Sequence, residues 1–589
     1  MLGRAYDAVA QGNEAVAAWL HAYLVVQTRY HRLLVQQINQ VGFDQFQKIP
    51  DNKLRDPIEE KFAQRFRQLR GMYGGDLASI EGRFSPGKTT RDTTCKKIKP
   101  ILSGFRKVYP DPKQESVKRE RSSRVGQEIA TDRPELRLVA HFIKAKDPGQ
   151  QPGKPDRYYY LCRHHKLRFK LWRQASALAY GKEKGFSPEL RDSLVGIDAC
   201  ANEMHASPEV FAPAFRMLRQ RGFPNCTFHA GEDFMHLLSG IRAVYEALEF
   251  LDLRAGDRIG HATALGIDPE VWLRLPSAGM KLGEWYDNLI FAYHLLTADP
   301  EYAGLCQNLV SEVARLHVKL FNPDWRRGRK KQKGPGTRND RAARDSCRKP
   351  FSQRMVGSPD ERERHYFDQQ AVLAAWQMRG MVVSPEEHYR FDQQAVLVAW
   401  QMRGIDPLMA CYGKLDEPPP LSAAGWREWR QARKAREENP RAFNFFLAYH
   451  FMDPERWNQI EPSSKMLQDL FKPAVFTAMQ RLVLKELRRR GVLLESMPSS
   501  NVRISYYNSY EEHHVLEWLG RGKDNNKRDL PRQTVAICTD NPGIFPTTLR
   551  NEFCHVYQML IKRGLSEDQA MAELEILNRN ARAYRFGAK

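Results

Sequence analysis

No two of the chain's nine cysteines stand as a CxxC pair, so neither a disulfide framework nor a cysteine-built zinc site is indicated. Long apolar runs are missing as well: nothing approaches the ~18–20 consecutive apolar residues of a membrane span. The opening MLGRAYDAVAQGNEAVAAW has neither the short apolar core nor the cleavage site of a secretory leader. A soluble protein of the reducing cytoplasm, with no membrane partner, is expected. Acidic charge is also in deficit. Against 92 Lys and Arg stand 70 Asp and Glu, a formal net charge of +22. Such an excess favours polyanions (nucleotides, nucleic acid or an acidic partner), or is simply a solvated basic surface. Part of it is local, because residues 326–349 carry eleven Lys or Arg against two Asp, with Gly and Pro between them. That composition predicts a mobile loop. It has no interleaved aromatic residue to stack bases, so specific single-strand recognition is not indicated.

What is present is a large chain with ordinary apolar content, enough for one big domain and one or two others. Residues 5–70 read as helices, with Ala15, Ala18, Leu20, Tyr23, Leu24 and Val26 falling on a helical repeat. Beyond them, strand-like runs alternate with helical stretches such as 233–251. The strand candidates are 77–84, 135–143, 193–199, 226–230, 257–262, 491–497 and 534–540. Repeated strand–helix units point to a parallel sheet, and eight of them would close a TIM-type (β/α)8 barrel. Polar residues gathered after several different strands favour the barrel over an open doubly wound sheet.

Between 257 and 491 no further convincing strand is seen. Residues 285–475 read as a mainly helical insertion, dividing the barrel into 71–284 and 476–589 after an N-terminal helical segment, 1–70. The insertion holds one internal repeat: FDQQAVLAAWQMRG at 367–380 returns as FDQQAVLVAWQMRG at 391–404. Solenoids need three or more units, so a local duplication giving two packed helices is expected.

The chemistry gathers in three blocks. CTFHAGED places His229 and Glu232 just after a strand, DRIGHAT places His261 after another, and AICTDNP places Asp540 at the close of a third. Two histidines, a glutamate and a late aspartate are the parts needed to hold a metal-bound water and move protons around it. A metal-assisted deaminase or hydrolase is the leading expectation.

Seven blocks in order resemble the adenosine deaminase family of metal-dependent amidohydrolases. EGRFSP (81–86) is similar to that family's second strand, LRLVAHF (136–142) to the third and GIDACANE (196–203) to the fourth. FHAGE (228–232), RIGHA (258–262), ESMPSSN (495–501) and CTDNP (538–542) follow as the fifth to eighth. With the long insertion, GEDFMHLLSGIR and PGIFPTTLRNEF, the chain is most similar to the divergent deaminase subunits of RADAR anti-phage defence systems. The resemblance implies a Zn2+ cofactor and the conversion of adenosine, ATP, dATP or RNA adenosine to inosine and ammonia. It also implies a homo-oligomeric shell and a partner ATPase. By the same resemblance His229 and Asp540 are metal ligands, Glu232 protonates the purine ring, and His261 orients the attacking hydroxide.

Three departures stand out. The family's opening HxH, two metal ligands on a first strand, is absent; His21 and His31 lie in helical sequence without that spacing. An N-terminally incomplete copy is expected, or else a scaffold that keeps the fold without turnover. The family's paired aspartates read Asp540-Asn541 here, and an Asn amide can donate to a purine N7. Finally, GHA replaces GHG, and Ala201 stands where a glycine lets backbone approach the purine, which predicts a tighter or differently shaped pocket.

Overall fold

The structure is a computed structural model that describes residues 2–35, 59–70, 77–87, 91–110, 133–147, 162–274, 279–321, 393–407, 423–450, 457–461, 470–522, 530–542, 544–545 and 547–587. Its main sheet has seven strands: β1 (Ser79–Phe84), β2 (Glu135–Ile143), β3 (Leu194–Cys200), β4 (Asn225–Ala230), β5 (Arg258–His261), β6 (Leu493–Ser496) and β7 (Val535–Ile537). They pair in that order and every pairing is parallel. The sheet is curled, since β1 side chains reach residues of β4, β5 and β6 that are not its neighbours in the sheet. This α/β half-barrel is what a TIM barrel would be with one strand removed, as the sequence led us to expect.

Alternation along each strand sorts the residues onto two faces. One face is apolar and packs under helices: Phe142 of β2 and Phe228 of β4 join Phe211 and Phe215 in an aromatic cluster with ring centroids 5.7–6.2 Å apart. The other face carries Glu81, Arg83, Asp198, Thr227, His229, Arg258 and Glu495, which meet one another inside the curl.

The helices obey local rules. His236, in extended conformation, caps Leu237–Phe250 by accepting from the Leu238 N–H, which is why that helix starts later than its apolar pattern. Pro473 opens Pro473–Arg490, and Gly491 at φ +66° ends it with three arginines in the last turn, where they complement the helix dipole. Ser566 and Gln569 form a full capping box on Glu567–Ala583. Past that helix, the Phe586 ring seats under Arg258, whose guanidinium carbon lies 3.5 Å from the ring centroid, and against Val139 and Val195. Gly196 makes room for it: a Cβ there would fall 2.7 Å from the ring.

The chain divides into two compact units. One comprises residues 1–146, 169–278 and 471–589 and holds all seven strands; the other comprises 147–168 and 279–470. The second is mainly helical, with Leu282–Leu296, Ala303–Phe321, Gln393–Gln401, Ala423–Glu438 and Pro440–His450. It also contains a two-stranded antiparallel ribbon, Met280–Lys281 with Ile460–Glu461, that the sequence analysis did not foresee. Two residues per strand are too few for an alternation to register. The second copy of the duplicated segment is a packed helix with Ala395, Val396, Ala399 and Trp400 buried, followed by Arg403, which is paired with Asp287 at 2.6 Å. The first copy, 367–380, and the basic loop, 326–349, lie outside the described residues. Among the described residues no helix is long and apolar enough to cross a membrane.

Phe586→Ala is expected to lower unfolding stability by about 3–5 kcal/mol, the usual cost of emptying a buried phenylalanine site. Chemical denaturation would measure this, and an unchanged midpoint would mean that the C-terminal turn is not part of the core.

Candidate active site

Three of the four expected catalytic or ligand residues, His229, Glu232 and His261, are buried at or just past the C-terminal ends of their strands. The chain of contacts begins deep in the curl. Arg258 of β5 pairs with Glu81 of β1 and, through Nε at 3.1 Å, with Glu495 of β6. The other oxygen of Glu495 accepts from Arg83 Nη2 at 2.6 Å and from Thr227 Oγ1 at 3.3 Å. Arg83 Nε lies 3.4 Å from Asp198 Oδ2, and Asp198 Oδ1 is 3.0 Å from His229 Nδ1. His229 Nε2 in turn faces Arg83 Nη1 at 2.9 Å. Burial alone would raise the Asp198 carboxyl, but His229, Arg83 and hydrogen bonds from His141 and His229 hold it well below the ordinary carboxylate range. Lys144, just beyond β2, donates to the His229 backbone oxygen.

A second cluster fixes protons. Val515 N–H donates to His513 Nδ1 at 3.0 Å, and burial pushes the His513 imidazole down to about 3. Its single proton therefore sits on Nε2, 3.3 Å from Asn501 Oδ1, which also accepts from the Met497 N–H at 3.2 Å. With that oxygen so engaged, the Asn501 amide nitrogen faces His261 Nδ1 at 2.9 Å and Glu232 Oε1 at 3.3 Å. His261 Nδ1 is thus an acceptor and its ring proton is on Nε2. Burial, then His229 and Arg83, hold His261 well below the usual histidine range, so the ring is neutral at physiological pH. Glu232, whose Oε1 is 3.1 Å from His261 Nδ1, is driven the other way: burial, then Asp540, Glu203 and Asp233, raise its carboxyl well above the usual range. A proton-bearing carboxyl therefore stands beside a neutral imidazole, a fitting pair for general acid–base work.

The remaining expected residues lie at neighbouring strand ends. Asp540 is accessible to water yet crowded by protein atoms. That crowding raises its carboxyl above the ordinary range against the pull of His229, a Ser500 hydrogen bond and Arg83. The Asn541 carbonyl accepts from the Ile544 and Phe545 N–H groups at 2.9 Å, closing a tight turn. Ala201 and Ala262, at the two positions read as glycine replacements, have φ of +77° and +45°. The backbone thus keeps a glycine-like conformation without glycine. His261 and Asp540 are left-handed too, at +66° and +55°, so unusual backbone collects at the ends of β3, β5 and β7.

His229 decides whether these residues suit the expected zinc. Both its ring nitrogens are engaged, Nδ1 by Asp198 and Nε2 by a guanidinium, and the only other expected ligand is Asp540. Among the described residues no group of three or more His, Cys, Asp or Glu side chains is placed to hold a metal ion. The described residues do not by themselves fit a zinc site.

Sequence reasoning passed over Arg83, Asp198, Glu203, Glu495 and Asn501, although all of them lie inside the quoted blocks. Glu203 Oε2 accepts from the Gly231 and Glu232 N–H groups at 2.6 and 3.1 Å, which anchors the HAGE turn. The available signal was a charged residue alternating with apolar ones in an otherwise buried strand, as in EGRF, GIDA and LLES. Neither a family model nor a curated protein matches this chain.

Asp198→Ala is expected to destabilise the protein by about 1–3 kcal/mol, because it removes the carboxylate that Arg83, His141 and His229 share while Arg83 keeps Glu495. The acid form of the same prediction uses Asp198→Asn. A depressed carboxyl stabilises the fold above its unfolded value near ~4 and loses that contribution as pH falls through its lower folded value. The stability gap between wild type and Asp198→Asn should therefore be full at neutral pH and close in acid. A gap independent of pH would contradict the assignment.

Proposed function

We propose that the strand ends form a purine-deaminase pocket, in which water replaces the exocyclic amine of adenosine or an adenine nucleotide to give the inosine product and ammonia. The observation that carries this reading is the Glu232–His261–Asn501 cluster, a carboxyl held protonated beside an imidazole of fixed tautomer. Attack on an aromatic amidine carbon needs a proton delivered to the adjacent ring nitrogen, and the raised Glu232 carboxyl can supply it. A neutral His261 with its proton on Nε2 can donate to the incoming oxygen and steady charge on the tetrahedral carbon. By the family resemblance Asn541 stands where a side chain meets the purine base. The resemblance to adenosine deaminases drawn from the sequence supports the same substrate class. The net charge of +22 suits phosphorylated forms such as ATP, dATP or RNA adenosines. The RADAR-like features support a role in anti-phage defence as a homo-oligomer with a partner ATPase.

Zinc, which that resemblance implies, would require ligands beyond His229 and Asp540 and an Arg83 withdrawn from His229 Nε2. This favours a second reading, a deaminase-fold scaffold that binds purines without turning them over.

One experiment separates the two. Metal content of the purified chain would be measured beside product formation from adenosine, ATP and dATP, with Glu232→Gln and Asp540→Ala in parallel. Turnover that falls about 10²–10⁴-fold in Glu232→Gln is the expected result. Bound nucleotide without product in wild type, seen as a raised melting temperature, would leave the scaffold. Where turnover is present, it should decline as pH rises through the elevated Glu232 value, since the acid form is the proton donor. A rate that climbs through that range would remove Glu232 from the role.

A further inference from the structure

Next to this cluster lies a thiol that the deaminase reading does not use. β2 and β3 are in register with His141 opposite Asp198 and Ile143 opposite Cys200, so His141 and Cys200 are diagonal neighbours on one face of the sheet. Cys200 Sγ is 2.6 Å from His141 Nε2 and 3.4 Å from Nδ1, and Nδ1 also lies 3.4 Å from Asp198 Oδ2. The order is thiol, imidazole, carboxylate, the arrangement by which an imidazole takes a proton from a nucleophile while an acid holds the ring. The Lys144 N–H donates to the Cys200 carbonyl at 2.8 Å and ties the two strand ends together. Cys200 is half-buried and the His141 side chain is 19 % exposed, so the pair is in contact with solvent.

The charged groups around the pair are Asp198 on its own strand and Lys144 beyond β2. Arg83 of β1 and His229 of β4 act on it through Asp198. Burial opposes charge on His141, but Cys200 and Asp198 outweigh it and raise the imidazole to about 10.

We propose that Cys200, His141 and Asp198 form a nucleophilic thiol site that takes small soft electrophiles, hydroperoxides first among them. The Cys200 thiolate attacks one peroxide oxygen, and an S–O bond forms as the O–O bond breaks. The departing oxygen keeps the bonding pair and takes a proton from the His141 imidazolium. Sulfur is oxidised to the sulfenic acid, and hydrogen peroxide is reduced to water. Because His141 also faces Asp198, which holds His229, the modification would act on the neighbouring cluster. The proposal stands apart from the deaminase reading, since its readouts are thiol chemistry and need no turnover.

The test is site-resolved mass spectrometry of the full chain labelled with iodoacetamide at neutral pH, in wild type and His141→Gln. A second arm exposes the protein to hydrogen peroxide and traps sulfenic acid with dimedone. Among the described cysteines exposure alone predicts that Cys554, the exposed one, reacts first. The expected result is that Cys200 outpaces Cys554 and loses on the order of tenfold in rate in His141→Gln. The buried Cys162 and Cys226 should stay unlabelled in both, reporting an intact fold. Dimedone should mark Cys200 in wild type and not in Cys200→Ser. The proposal is overturned if Cys200 lags behind Cys554, if its rate survives His141→Gln with the buried thiols still protected, or if no dimedone adduct forms there. Should His141→Gln expose Cys162 or Cys226, the wild-type rate order and the Cys200→Ser dimedone arm decide the matter.

Discussion

Two guanidiniums and three carboxylates share the inner face of the curled sheet, where water is largely excluded, and each must find its partner on another strand. Arg83 cannot be satisfied within β1; it reaches β3 through Asp198, β4 through His229 and β6 through Glu495. Arg258 closes the far side between Glu81 and Glu495. A register slip of one residue would turn every one of these groups into the apolar layer under the helices. The ladder is better understood as a device for specifying the arrangement than as a source of net stability, because buried pairs repay their desolvation only when all members are present.

The same ladder sets the electrostatics of the neighbouring cluster. Asp198 and Arg83 hold the ring of His229 from both of its nitrogens, and the charge of Arg83 helps to keep the neighbouring His261 neutral against the opposing pull of Asp198. On the other side, a run of hydrogen bonds from Val515 through His513 and Asn501 decides which nitrogen of His261 carries its proton. Glu232 lies between the two systems and is crowded by other carboxylates, so its proton is held tightly. Electrostatics and proton positions are therefore set by residues that need not themselves meet a substrate.

Backbone conformation follows the same pattern. Four non-glycine residues in left-handed conformation, Ala201, His261, Ala262 and Asp540, sit at the ends of three strands around the cluster. Each such residue costs of order 1–3 kcal/mol and persists only where surrounding contacts over-determine it. Ala201 and Ala262 were expected to tighten or reshape the pocket by replacing glycine. What the structure adds is that the backbone path is kept at both positions and the methyl group is accommodated under strain.

Much of this was legible in the linear chain. Alternating apolar runs marked all seven strands to within two residues at each end, apart from the last, which stops three residues earlier, at Ile537. The blocks HAGE, GHA and TDN were read at strand ends and lie at or just past the C-terminal ends of three strands, because a polar residue closing a buried strand is a local signal. Arg83, Asp198, Glu495 and Asn501 were not singled out, since a charge inside a strand has meaning only once its partner is known. Those partners lie up to 412 residues away along the chain. The pairing of Cys200 with His141 was hidden for the same reason: it depends on the register between β2 and β3. Composition and periodicity determined which segments are strands and which of them end in reactive side chains. Tertiary structure alone decided which charges neutralise one another, which nitrogen bears a proton and which thiol meets an imidazole, because those are properties of distances between strands and not of any one strand.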